Sequence, residues 1–272
     1  MTIPMHDHRF TDSISEVYER DLVPMLFAPY ASVVAEQLRQ HAPARLLEVA
    51  AGTGALTRAL AEKLPASCTI VATDLNPAMI ARASSVGTAR TVDWRQADAL
   101  ALPFDDESFD VVVCQFGVMF FPDKVRGFAE ARRVLRPGGV FMFSTWDTLE
   151  TNEFAHVVTE AVAELFPSNP PRFVGRTPHG YHDCAQVERD VRAAGFTAPF
   201  RVETLEVRSR ADSARIPAVA FCQGTPLRNE IEQRDATRLD EATEAATRAL
   251  AARFGPRALD GLMRAHLITV ER

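Results

Sequence analysis

A chain of 272 residues, 47% of them hydrophobic, can bury a full core, and its length allows one large domain or one domain with an appendage. Lys and Arg total 30 against 36 Asp and Glu, and the formal charge of −6 excludes a global basic field that would draw the chain to nucleic acid or an anionic membrane. The cysteines, Cys68, Cys114, Cys184 and Cys222, stand far apart, in none of the spacings of a zinc site or a redox pair, and read as reduced thiols of a cytoplasmic protein.

The opening residues, "MTIPMHDHRF", lack the charged-then-apolar pattern of a signal peptide. His6 and His8 flank Asp7 in a metal-like triplet, which at a free chain end reads as a solvated tail, so no metal site is expected. The longest near-apolar run, Val111 to Phe121, is too short to span a bilayer, which needs about 20 residues. Next, "SISEVYERDLVPMLFAPYASVVAEQL" has a helical pattern interrupted at Pro24 and Pro29, which predicts two short helices in an N-terminal helical cap over residues 1–43.

"ARLLEVA" (Ala44 to Ala50) is a short apolar run closed by small residues, the pattern of a buried strand. Leu56, Leu60 and Leu64 then recur at the spacing of an amphipathic helix. "CTIVATD" is a second strand ending on Asp74, followed by a helix that Pro77 opens and whose apolar face begins with Met79 and Ile80. "TVDWRQADA" predicts a third strand ending near Asp98, and "FDVVVCQF" is β-branched on both faces, as a central parallel strand must be. A helix from about Lys124 to Leu135 gives way at Pro137 and the Gly138-Gly139 pair to a fifth strand, "RPGGVFMFSTW".

Alternation of this kind predicts an α/β fold with a parallel, doubly wound sheet and helices on both faces, and the fold expected for the whole chain is a Rossmann-like, doubly wound, mostly parallel sheet with an antiparallel last strand and a helical cap. The later elements are a strand, "FRVETLEVRSR", a helical region from Asp212 to about Phe254, and a last strand in "LMRAHLITVER". The expected division is a core of residues 44–210 and 256–272, with a helical insertion over 211–255 roofing the site. Within it, Phe221 and Leu227 would help form an apolar pocket or simply pack against the core.

In an open parallel sheet, ligands bind beyond the carboxyl ends of the strands, where the winding reverses. The first strand runs from Glu48 into Ala50-Ala51-Gly52-Thr53-Gly54, a turn that lets a ligand approach the backbone without a Cβ in the way. A dinucleotide fingerprint would place a third glycine where Thr57 stands. A nucleoside without a pyrophosphate needs only the close approach, an apolar slot and a carboxylate for the ribose hydroxyls. Asp74, at the end of the second strand, can supply that carboxylate.

"LLEVAAGTG", "VATDLNPAMI", "WRQADALALPFDDESFDVVVCQFGVMFFPD" and "EARRVLRPGGVFMFSTW", in this order and spacing, resemble the class I S-adenosylmethionine-dependent methyltransferases, in the branch similar to the ubiquinone/menaquinone-biosynthesis C-methyltransferases. The match covers about Arg45 to Trp146, and it departs from the family where Ala50 stands for a usual glycine. The resemblance implies that S-adenosyl-L-methionine is the cofactor and S-adenosyl-L-homocysteine the product. It implies that the loop containing Glu48, Ala50, Gly52 and Gly54 lines the methionine portion, and that Asp74 holds the ribose, with Leu75 and Met79 against the adenine. Asp98, with Ala97 and Ala99 beside it, would meet the adenine amino group, and Gln115 and Phe116 would offer backbone to the methionine amino group.

Methyl transfer is an in-line displacement that alignment can largely drive, and a base is needed only if the acceptor must lose a proton. Candidates for such a base are Tyr18, Tyr30, His156, and His179, Tyr181 and His182 in "TPHGYHD", which also reads as a surface turn with Asp183 capping the next helix. The expected partner is a small, apolar or aromatic methyl acceptor, for a monomer or homodimer with no nucleic acid and no membrane span. Three readings stay open beside this one: a non-catalytic cofactor-binding module, a nicotinamide-dependent oxidoreductase, and an aminopropyl transferase.

Overall fold

The computed structural model describes residues 12–272, and the triplet of His6, Asp7 and His8 lies outside them. The described chain begins with α1 (Asp12–Val17), a π-helical stretch (Tyr18–Phe27) and α2 (Ala28–Arg39). Pro24 and Pro29 therefore do not interrupt the helical run as the pattern predicts. Pro24 lies in the wider π turns, where the Ala28 N–H reaches back five residues to the Val23 carbonyl. Pro29 is the second residue of α2, directly after the π turns, and the run continues through it to Arg39.

Strand and helix then alternate through β1 (Arg45–Val49), α3 (Ala55–Lys63), β2 (Thr69–Asp74), α4 (Pro77–Val86), β3 (Asp93–Gln96), β4 (Phe109–Gln115), α5 (Lys124–Val134) and β5 (Leu135–Trp146). After them come α6 (Glu153–Leu165), α7 (Phe173–Arg176), α8 (Cys184–Ala193) and β6 (Arg201–Ser213). The chain ends with α9 (Arg215–Gln223), α10 (Leu227–Asp235), α11 (Leu239–Phe254) and β7 (Arg257–Glu271).

The sheet has the order β3-β2-β1-β4-β5-β7-β6. β1 lies between β2 and β4, parallel to both, with Glu48 level with Ala72 on one side and Val113 on the other. β5 is parallel to β4 and antiparallel to β7, where Phe143 faces Ile268. This is the expected Rossmann-like, mostly parallel sheet with an antiparallel last strand, and its parallel part is what the alternation predicts. The winding reverses between β1 and β4, which opens a crevice at their carboxyl ends.

The described residues fall into two compact units. One comprises residues 30–146, 181–205 and 265–272 and holds β1 to β5 with the sheet-pairing ends of β6 and β7. On one face of its sheet, Val34 and Leu38 of α2 and Leu56 and Leu60 of α3 close over Leu46, Ile70, Val111 and Val113. Each fully buried leucine there contributes about 1.5–3 kcal/mol relative to an exposed one. Phe128, Phe141, Phe143 and Phe196 form an aromatic cluster elsewhere in the same unit.

The second unit comprises the described residues up to Pro29 with residues 147–180 and 206–264. α6 and α11 meet through Phe154 and Phe254, edge to face at 5.1 Å. The buried Glu230 of α10 accepts the backbone N–H groups of Arg172 and Phe173 and pairs with Arg176 at 2.8 Å, which pins the start of α7.

Candidate functional site

β1 enters the site as Leu46 and Leu47, fully buried, and then Glu48, 1% exposed. The Glu48 carboxyl accepts the hydroxyl of Thr57 at 2.6 Å, the residue in the third-glycine position. Burial pushes the Glu48 pKa up to about 8, against the opposing pull of that hydrogen bond and the Arg58 charge and with a further push from Asp74.

The turn that follows is left-handed at Ala50 (φ 55°), Gly52 (57°) and Gly54 (87°). Glycine takes this conformation freely, whereas at Ala50 the Cβ costs about 1–2 kcal/mol. Room for the Ala50 methyl comes from Gly117, where an added Cβ would fall 2.6 Å from that of Ala50. Gly54 is confined in the same way, because a Cβ there would meet the Trp94 ring at 2.9 Å. The loop amides are fixed in turn: Ala51 N–H donates to the Thr73 carbonyl at 2.9 Å and Gly52 N–H to Asp74 Oδ2 at 2.8 Å. Arg58 donates to the Thr53 carbonyl, while the buried Thr53 hydroxyl makes no hydrogen bond among the described residues.

Asp74 ends β2 and also accepts the Asn76 N–H on Oδ1 at 2.8 Å. Burial raises its pKa and the two backbone bonds, from Asn76 and Gly52, oppose the shift. Beside it, Leu75 is exposed, Met79 is buried in α4, and the Ala97 N–H donates to the Asp74 carbonyl. Asp98 is an exposed loop acid that accepts the Leu100 N–H, with Ala99 half-buried between them. α5 clamps this loop: Arg126 donates to the Leu100 carbonyl, and Arg133 to those of Leu102 and Phe104.

β4 delivers Gln115, half-buried, and Phe116, whose φ of 55° is again left-handed. The Phe116 N–H donates to the Ser144 hydroxyl at 3.0 Å, and its ring stacks on Trp146. Glu48, Ala50, Gly52, Gly54, Asp74, Leu75, Met79, Ala97, Asp98, Ala99, Gln115 and Phe116 therefore all lie at or just beyond the carboxyl ends of β1 to β4 within one unit. Thr57, Gly117, Ser144 and Trp146 join them, none of which the motif pattern singles out as site residues. Gly117 adjoins Phe116 in sequence, but only strand pairing brings in Ser144, level with Gln115.

The candidate bases are dispersed. Tyr18 stacks on Phe27 at 5.0 Å, and Tyr30 is 1% exposed with its hydroxyl 3.5 Å from the Leu205 carbonyl. His156 is half-buried on α6, and its Nδ1 has no hydrogen-bond partner among the described residues. His179 Nδ1 lies 2.8 Å from the Asp147 carbonyl, which can only accept, so in the neutral ring Nδ1 carries the proton. Tyr181 donates to Asp190 at 2.7 Å, and burial followed by the Asp190 carboxylate pushes its pKa up. His182 is half-buried, and Asp183 caps α8 by accepting the Ala185 N–H, as the sequence predicts. Among the described residues no group of His, Cys, Asp and Glu gathers to hold a metal ion, and no helix is long and apolar enough to cross a membrane.

A family model described as a methyltransferase domain matches residues 47–143. The chain is 41% identical over 178 residues to the demethylmenaquinone methyltransferase of Deinococcus radiodurans, a match covering 61% of this chain and 73% of that one. Among solved structures, the YcgJ protein from Bacillus subtilis is similar with a TM-score of 0.56 at 18% identity, covering 89% of this chain and 98% of its own. Phosphoethanolamine N-methyltransferase 2 from Haemonchus contortus has a TM-score of 0.60 at 16% identity, covering 99% of this chain and 60% of its own. At such identities the two structures show the fold alone. The chain belongs to the class I S-adenosylmethionine-dependent methyltransferases. It is an enzyme whose methyl donor is S-adenosyl-L-methionine, and the nicotinamide and aminopropyl readings give way to this one.

Proposed function

We propose that this methyltransferase methylates a small, apolar, aromatic acceptor of the kind named by its Deinococcus relative, demethylmenaquinone, by in-line displacement. When bound, the cofactor supplies a methyl group already activated on a sulfonium. The protein's part is alignment, which can contribute about 7–11 kcal/mol of the barrier. The cytoplasmic setting proposed with it is supported by the four free cysteines.

The observation that carries the site assignment is the Asp74 carboxylate. Each of its oxygens accepts one backbone N–H, from Gly52 and from Asn76, so each keeps a lone pair for a ribose hydroxyl. The same bonds set the glycine turn, so ribose and methionine portions would be read by one linked device. The buried, unpartnered Thr53 hydroxyl and the Cβ-free turns at Gly52 and Gly54 fit a polar ligand lying close against the backbone. In this reading Leu75 and Met79 flank the adenine, Asp98 with Ala97 and Ala99 meets its amino group, and Gln115 and Phe116 offer backbone to the methionine ammonium. Tyr181 holds its proton against Asp190 and suits a base poorly.

Calorimetric titration of the protein with S-adenosylmethionine, S-adenosylhomocysteine and NADH, repeated on Asp74→Ala, tests the site. The expected result is binding of both sulfur ligands, none of NADH, and loss of both in the variant. Retained affinity in Asp74→Ala would remove the ribose role. Transfer of labelled methyl from S-adenosylmethionine to demethylmenaquinone tests the acceptor, and no labelled product with this or any aromatic acceptor would sink that assignment.

A further inference from the structure

Phe116 carries a bulky side chain in the left-handed region, at a φ of 55°. An aromatic residue rarely adopts this backbone, and such outliers persist only where their surroundings over-determine them. Here the surroundings do so from three directions. The Phe116 N–H donates to the hydroxyl of Ser144, itself 2% exposed and level with Gln115 across the β4–β5 pairing. The ring lies on Trp146 with centroids 3.8 Å apart and planes within 4°. Tyr30 of α2 meets both rings edge-on, at 5.2 Å from Phe116 and 5.5 Å from Trp146.

The next residue passes this geometry to the neighbouring strand. A Cβ at Gly117 would fall 2.6 Å from the Cys114 sulfur and 2.6 Å from the Ala50 Cβ, so the β4 loop lies directly against the turn after β1. Ala50 is the other L-residue held left-handed at this edge. The residue after one unusual backbone therefore lies against the other, at the ends of the two strands between which the winding reverses.

We propose that Ser144, Trp146 and Tyr30 are positioning residues for the methyl donor. They hold the 115–117 backbone in the one shape that presents its polar groups to the cofactor, and through Gly117 they brace the Ala50 turn. The proposal rests on the cofactor site described above and assigns work to residues outside it. An apolar side chain at residue 144 would fill the space but leave the buried, strained Phe116 amide without its acceptor.

The test is S-adenosylhomocysteine affinity by calorimetry for the wild type, Ser144→Ala, Ser144→Thr and Trp146→Leu, at a temperature well below the melting midpoint of each ligand-free variant. A purely structural role lowers the midpoint and leaves the affinity of the folded protein alone. Positioning instead weakens binding in Ser144→Ala and Trp146→Leu by about tenfold, and Ser144→Thr, which keeps the hydroxyl, restores it. The chain has only two tryptophans, so a Trp94→Phe background isolates Trp146 emission, which is expected to change on adding S-adenosylhomocysteine. Wild-type affinity in both folded Ser144→Ala and Trp146→Leu would overturn the positioning role and leave the cofactor site standing. No binding by the wild type would overturn both.

Discussion

The hydroxyl of Thr57 donates to the buried carboxyl of Glu48 at 2.6 Å, in the position where a dinucleotide fingerprint places its third glycine. That glycine serves close helix–strand packing. Here a side-chain hydrogen bond ties α3 to β1 instead, between residues 0% and 1% exposed. Thr57→Val keeps the shape and deletes the donor, so Glu48 loses its partner inside the core. The expected cost is about 1–3 kcal/mol, read from urea unfolding. A variant as stable as the wild type would show that the bond contributes nothing.

Glu48 should also write itself into the pH dependence of stability. Its folded pKa is raised to about 8 from an ordinary 4.5, chiefly by burial. Between those values the native protein keeps a proton that the unfolded chain has released. Raising the pH through this window therefore removes stability, by a few kcal/mol at most, and above it the loss is constant. Glu48→Gln, neutral throughout, should flatten the fall in melting temperature from neutral to mildly alkaline pH. An equally steep fall in the variant would assign the slope to other groups.

The turn cluster around Tyr181 gives a different kind of prediction. Its hydroxyl is committed to Asp190, which also accepts from Gln186, while Lys124 lies 4.8 Å from the centre of its ring. Tyr181→Phe keeps the ring under the ammonium and deletes one hydrogen bond. It should cost about 0.5–1.5 kcal/mol of stability and leave S-adenosylhomocysteine affinity unchanged. A large loss of methyl transfer in a variant that still binds cofactor would return Tyr181 to the catalytic candidates.

What the sequence made legible was whatever depends on local period and spacing. The alternation of strand and helix, Asp74 at a strand end, the bare turn at Gly52 and Gly54 and the Asp183 cap all follow from residues within a few positions of one another. The π-helical passage through Pro24 was not legible, because hydrogen bonds that reach back five residues instead of four leave no distinct mark in a helical pattern. Nor were Ser144 and Trp146. Ser144 gains its role from pairing level with Gln115, a register that no short-range spacing encodes. Tyr181 looked like a base because its acceptor lies on the next helix, visible as a partner only once α8 has folded.

Ala50 was the departure from the family pattern, and its geometry is what the last prediction tests. The residue takes the left-handed backbone with φ 55° in spite of its methyl. Ala50→Gly relieves about 1–2 kcal/mol of steric cost against about 0.5–1 kcal/mol of added chain entropy, so stability should hold or rise slightly. Gly117 is the reverse case. Its own φ of −104° suits any residue, so Gly117→Ala meets only a packing problem, contact at 2.6 Å with both Ala50 and Cys114. Overpacking of this kind costs about 1–3 kcal/mol. In the double variant, Ala50→Gly removes one of the two contacts, so part of the loss should be recovered, with a coupling of about 0.5–3 kcal/mol. Strict additivity in that cycle would mean that the two turns do not bear on each other, and that Gly117 is bare for the sake of Cys114 alone.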